Sequence, residues 1–213
     1  MAPAIHPAQA AAEGRPIDQR HPTSGLEPAI TAPPVLLLPG WKSSGPGHWQ
    51  ILWAELHPHW RVVHFGRWEH PDPHAWQRVL AEAIAACERP PLLIAHSLGC
   101  LAAAGLIAQP EAPPIAGALL VAPPDPGRPD TPAPLRPFHP VARARFGVPG
   151  QLLLSSDDPY ASEAFALELA DAWGLEPRRL GPLGHINADS GLGSWPEGLA
   201  LAGALLARVA AGD

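Results

Sequence analysis

From residue 34 onward the chain alternates between unbroken apolar runs and segments whose apolar residues recur every three or four positions. The first run is VLLL (35–38). Consecutive large aliphatic residues fit a strand covered on both faces. RVVHFG (61–66), PLLIAH (91–96), AGALLVAP (116–123) and GQLLLSS (150–156) repeat that signature, and EPRRLG (176–181) reads as a short final strand. Helical spacing fills the gaps. HAWQRVLAEAIAAC (74–87) puts Trp76, Val79, Leu80, Ala83, Ile84 and Cys87 on one face, with Gln77, Arg78 and Glu82 turned away. Helices are also expected over 48–56, over 98–108, and over 162–174, where Phe165, Leu169 and Trp173 share a face and Gly174 supplies the stop. A last helix runs through WPEGLALAGALLARVAA, with Pro196 near its first turn. Strand and helix in regular alternation predict an α/β chain, a doubly wound, mostly parallel sheet with helices on both faces.

Residues 1–33 break the pattern. They are rich in Ala and Pro and show no sustained period, so the reading is a disordered extension followed by one domain over 34–213. A Pro-rich connection, 123–140, interrupts the domain without a period of its own, and there is no internal repeat.

Composition narrows the partners. Hydrophobic residues make up 46% of the 213, charged residues 16%, and the net charge is −6. That is a globular composition, and it argues against nucleic acid and against an anionic membrane surface. No apolar run is long enough to span a bilayer. The N-terminus has no basic segment leading into an apolar one, so a cytoplasmic location is expected. The two cysteines, Cys87 and Cys100, form no disulfide framework and read as buried thiols.

Chemistry concentrates in PLLIAHSLGCLAAAG (91–105), where Ser97 stands between an apolar strand and a small-residue helix. A sharp strand-to-helix turn pushes a serine hydroxyl out of the backbone and crowds the residues two positions away on each side. Here those are Ala95 and Gly99, both small; the usual pattern has Gly at the first. The free N–H of Leu98, at the start of the helix, is placed to bind an oxyanion. A second N–H in this architecture follows the first strand. In LLLPGWKSSGPGHW that is the N–H of Trp41 or Lys42, with Gly40 allowing close approach.

A serine nucleophile needs a base, and the base an orienting carboxylate, in the chain order Ser, acid, His. LLLSSDDPY offers Asp157 and Asp158 at a strand end, and LGPLGHINADSG offers His185 in a Gly-rich loop. Spacing does not choose between the two aspartates. His96 precedes the serine and points to the other side of the backbone, so it reads as packed or hydrogen-bonded near the site. His57, His59, His64, His70 and His74 repeat no metal-ligand spacing, and no phosphate-binding loop occurs, so neither metal nor cofactor is expected.

PGWKSSGPGHWQ, AHSLGCLAA, SSDDPY and GHINADSGLGSWPEG together resemble the small serine hydrolases of the retinoblastoma-binding protein nine / YdeN family, within the α/β-hydrolase superfamily. The likeness covers about residues 33–212. It implies a compact α/β-hydrolase fold without a large lid and a triad of Ser97 as nucleophile, Asp158 as acid and His185 as base. Only residues 123–147 are free to form a flap, so a wide, shallow site is expected.

Eight tryptophans stand beside four Phe and one Tyr. Trp41, Trp68 and Trp195 fall in loops and are candidates for an apolar acyl pocket, whereas Trp49, Trp53, Trp76 and Trp173 read as core. Two functions compete. One is hydrolysis of small carboxylic esters, with thioesters and amides as related classes, by a monomer or small homo-oligomer. The other is an interaction module on a hydrolase scaffold whose catalysis is vestigial. The complete Ser97, Asp158 and His185 set favours the enzyme.

Overall fold

The computed structural model describes residues 32–212. All but the last two residues of the expected extension therefore lie outside the described residues. Among the described residues, six strands form one sheet: β1 (Val35–Leu38), β2 (Arg61–Val62), β3 (Leu92–His96), β4 (Gly117–Val121), β5 (Gly150–Leu154) and β6 (Glu176–Arg179). Every pairing is parallel, and the order is β2-β1-β3-β4-β5-β6. Five helices cover it: α1 (Trp49–Leu56), α2 (Pro73–Ala85), α3 (Leu98–Ile107), α4 (Glu163–Trp173) and α5 (Pro196–Ala211).

The pleat divides each apolar run between two cores. Leu36, Leu38, Leu93, Ala95, Leu120, Leu152 and Leu154 turn toward Trp76 and Leu80 of α2, Ala102 of α3, and Leu169 and Trp173 of α4. Val35, Leu37, Leu92, Ile94, Leu119, Val121 and Leu153 turn the other way, onto Trp49 and Trp53 of α1 and Ala202 and Leu205 of α5. This is why the strands read as continuous hydrophobic runs. Each fully buried aliphatic side chain contributes roughly 1.5–3 kcal/mol. The outer edge is blunted: every residue of β6 is exposed, and Pro177 and the charges of Glu176, Arg178 and Arg179 discourage further pairing.

The helix ends follow their local chemistry. Asp72 caps α2 by accepting from Ala75 N–H at 2.7 Å, with Pro73 at the first helical position. Ser162 caps α4, and Gly174 closes it at φ +69°. Cys87 falls beyond the end of α2 and is half-buried, with Arg61 donating to its sulfur at 2.9 Å, so only Cys100 is the buried thiol expected. β2 is shorter than its sequence suggests. Val63 N–H still donates to Leu37 O, but Phe65 stacks on Trp76 at 4.5 Å and draws the chain off the sheet edge.

The chain leaves β1 toward β2 on one side and returns to β3 on the other. The strand order thus reverses between β1 and β3, the place where open α/β sheets gather functional groups at the strands' carboxyl ends. The small residues of α3 bring its first turn hard against that point. A Cβ on Gly99 would lie 2.5 Å from Leu38 O and 2.8 Å from Pro39 O, both backbone atoms that cannot yield. Gly99→Ala is expected to cost about 1–3 kcal/mol, the usual range for overpacking, seen as a lower urea midpoint. An unchanged midpoint would show that the turn has slack.

Candidate active site

Ser97 follows β3 at the N-cap position of α3 with φ +54° and ψ −124°, a conformation that costs an L-residue of order 1–3 kcal/mol. Neighbours hold it there. Its N–H donates to Val121 O at 2.9 Å, and Ala95 is fully buried in the core beneath. On the solvent side a Cβ on Gly40 would stand 2.8 Å from Ser97 Cβ, so this glycine lets the β1 loop cross directly over the hydroxyl. Gly40, expected to let the backbone approach the substrate, has the serine itself as its nearest neighbour.

The strand ends bring together the predicted side chains. Ser97 Oγ and His185 Nε2 are 2.8 Å apart, and His185 Nδ1 is 2.9 Å from both carboxylate oxygens of Asp158. Both partners of the second contact are nearly buried, 8% and 5% exposed by side chain, so water competes little for either. Asp158 Oδ1 also accepts from Tyr160 N–H at 2.9 Å, which fixes the carboxylate's plane. Asp157 faces elsewhere. Its Oδ1 accepts from Ser155 Oγ and from Gly184 N–H, both at 2.7 Å, and these bonds, the serine's first, hold its carboxyl below the usual range. Adjacent aspartates thus divide two tasks: one meets the imidazole, and the other ties down the loop that carries it.

That loop is anchored on consecutive carbonyls. His96 Nε2 lies 2.9 Å from His185 O, and a carbonyl only accepts, so this nitrogen carries the proton. Trp49 Nε1 donates to Ile186 O at 2.8 Å. Between them Ile186 is fully buried at φ +49°, a conformation that a β-branched residue adopts only under constraint. Gln50, which the sequence reading did not single out, joins the layers. Its amide donates to Leu38 O at 3.1 Å and Ile94 O at 3.2 Å, and its oxygen accepts from Ser44 Oγ at 2.7 Å. The first turn of α1 is thereby pinned across the reversal between β1 and β3. Nothing in GHWQ marks it, since a surface amide at that position would read the same.

His48 and His96 pack edge-on beside His185, with ring centroids 4.8 Å apart for the first pair and 5.0 Å for His96 and the tilted ring of His185. Burial, then the charge of His185, lowers His48 to about 4 and drives His96 well below its usual value. Both are neutral at pH 7. The unfolded chain takes up these protons near pH 6.5, the native state only near pH 4 or lower, so stability must fall as pH drops through that window. For His48 the loss is about 3 kcal/mol in all, at about 1.4 kcal/mol per unit. A urea midpoint that declines steadily from pH 7 to 5 is the expected result, and a flat one would contradict it.

The oxyanion candidates also stand over the serine. Lys42 N–H is taken by Trp68 O at 3.4 Å, whereas no backbone acceptor among the described residues takes the N–H of Trp41 or Leu98. A pocket of about 260 Å³ opens onto them, lined by Gly40, Trp41, Lys42, His48, Tyr160 and Asn187 beside Ser97 and His185. Leu135, from the 3-10 turn Ala133–Phe138 in the Pro-rich connection, closes one side. Ser97, one of its lining residues, is 6% exposed.

The tryptophans sort differently from expectation. Trp49, Trp53, Trp76 and Trp173 are core, as expected, each at most 1% exposed. Trp195 is core too, stacked on Trp53 with centroids 5.9 Å apart, and Trp68 packs on Trp76; of the three loop tryptophans only Trp41 lines the pocket. Among the described residues no cluster of three or more His, Cys, Asp or Glu could hold a metal ion, and no helix is long and apolar enough to cross a membrane.

Comparison with known proteins bears on the family and the fold. A search of curated proteins found no match. Among solved structures, a protein from Pectobacterium atrosepticum described as a YdeN-like hydrolase is 31% identical, with a TM-score of 0.72 over 82% of this chain and 91% of its own. The ydeN gene product of B. subtilis is 18% identical, with a TM-score of 0.68 over 81% of this chain and 98% of its own. A monoacylglycerol lipase from Paleococcus ferrophilus shares the fold at 14% identity and a TM-score of 0.60, over 85% of this chain and 96% of its own. Of the two names in the expected resemblance, the comparisons return the YdeN one. Residues 35–204 match the serine hydrolase family, and with the YdeN-like relative at this identity and coverage the chain belongs to that family, an α/β-hydrolase enzyme.

Proposed function

We propose that the protein hydrolyses small carboxylic esters through a Ser97–His185–Asp158 triad and an acyl-enzyme intermediate. The observation that carries this reading is the continuous contact from Ser97 Oγ through the His185 ring to Asp158, at 2.8 and 2.9 Å. Oγ attacks the ester carbonyl, and His185 Nε2 accepts its proton. The alkoxy group leaves with that proton from the imidazolium. A water then loses a proton to His185 and attacks the acyl carbonyl, and Ser97 leaves with the proton as the carboxylic acid departs. The negative oxygen of each tetrahedral intermediate is held by the N–H groups of Trp41 and Leu98, the latter at the positive end of α3. Asp158 keeps Nδ1 as the protonated nitrogen and stabilises the imidazolium.

The same contacts favour an enzyme over an interaction module, because a vestigial site has no reason to retain a strained serine. Rapid-quench mass spectrometry after mixing with p-nitrophenyl acetate tests the scheme. An acetyl group on the peptide containing Ser97 is the expected result. Turnover without any acyl-protein, or acetyl on another residue, would overturn it.

A further inference from the structure

The wall of the pocket carries one cationic side chain, Lys42, and no carboxylate. Lys42, an exposed lining residue, has no ion-pair partner among the described residues, and its ammonium lies 4.6 Å over the ring of Trp41, which also lines the pocket. His48 accepts from Gln50 N–H through Nδ1, so its other ring nitrogen carries the proton, and that nitrogen is buried without a partner. Trp41 Nε1 is a second buried donor without a partner. Asn187 spends its side-chain oxygen on Asp189 N–H at 3.1 Å, which leaves its amide protons. No Asp or Glu lines the pocket. The backbone has a stake in the arrangement as well: Lys42 and Ser43 follow one another at φ +65° and +64°, positions a glycine would occupy without strain. Side chains kept at that cost beside a reactive group point to a role for them.

We propose that the pocket selects esters that carry a second, anionic group, a carboxylate on the acyl side, with Lys42 as the residue that recognises it. A carboxylate supplies the charge that answers Lys42. An apolar acyl chain offers Lys42 no partner. The inference rests on the esterase reading above and adds the class of substrate.

The test compares monomethyl glutarate with methyl 5-methylhexanoate, an ester of matching shape in which an isopropyl group replaces the carboxylate. Wild-type protein is expected to favour the anionic ester about tenfold or more in kcat/KM, and that ratio should fall as salt is raised. Lys42→Met should reduce the ratio about tenfold and Lys42→Glu should invert it, the size of one charge-assisted hydrogen bond. Circular dichroism and melting of each variant separate a lost contact from a lost fold, and Lys42→Gln repeats the test with a polar side chain. Turnover of the neutral ester with no preference, or a ratio unmoved by all three variants, would overturn the assignment while leaving the esterase reading intact. Turnover of neither ester would overturn both.

Discussion

Ser97→Ala is expected to abolish ester turnover while the protein stays folded. The hydroxyl is the atom that attacks in the proposed scheme, and nothing nearby replaces it: His96 and His48 are neutral and committed to His185 O and Gln50 N–H. Loss of the serine from such a set typically lowers kcat on the order of 10⁶-fold, the remainder coming from the oxyanion donors and from binding. The fold should survive, because the Ser97 side chain caps nothing; its backbone N–H, which holds Val121 O, is kept by alanine. Melting should stay close to wild type. A variant that keeps a tenth of the wild-type rate would remove Ser97 from the mechanism.

Asp158→Asn and Asp157→Asn should differ by orders of magnitude. At residue 158 an amide presents a donor toward His185 Nδ1 and favours the tautomer with Nε2 protonated, which cannot accept the serine proton, so kcat is expected to fall on the order of 10³–10⁴-fold. At residue 157 the amide keeps an oxygen that can still accept from Ser155 Oγ and Gly184 N–H, the two bonds the carboxylate makes there. Its effect should stay within about tenfold, with a modest loss of stability from the weaker, uncharged acceptor. Steady-state kinetics on p-nitrophenyl acetate decide between them. Equal losses, or the reverse ranking, would assign the orienting role to the wrong aspartate.

Much of this architecture can be read along the chain because its strands are buried on both sides. Runs such as VLLL and PLLIA have no other use in a chain of this length, and the small residues from Gly99 to Gly105 announce a helix pressed against a sheet. Ser97 stands out at that junction as a candidate, and the aspartates and His185 at later strand ends complete the case for it. The two aspartates do not separate on the same grounds. Each sits at the end of β5, and what distinguishes them is the position of the His185 loop, fixed by contacts from His96 and Trp49, far away in sequence. Trp195 misleads for a related reason. It precedes a helix, where a loop residue is expected, yet at φ +44° its ring turns inward onto Trp53. Gln50 hides within an amphipathic turn because a buried amide and an exposed one look alike until its three partners are assembled. The partition of the apolar runs between two cores is also silent in sequence, since both faces read as leucine.

The central claim is that Ser97 is an activated nucleophile, and a fluorophosphonate probe reports on that property without any assumption about the natural ester. Incubation of the folded protein with the probe, followed by peptide mapping, should place a single label on Ser97. The label should vanish in Ser97→Ala and form far more slowly in His185→Ala, where no imidazole takes the proton. A protein that stays unlabelled, or carries the label on another serine, would contradict the account.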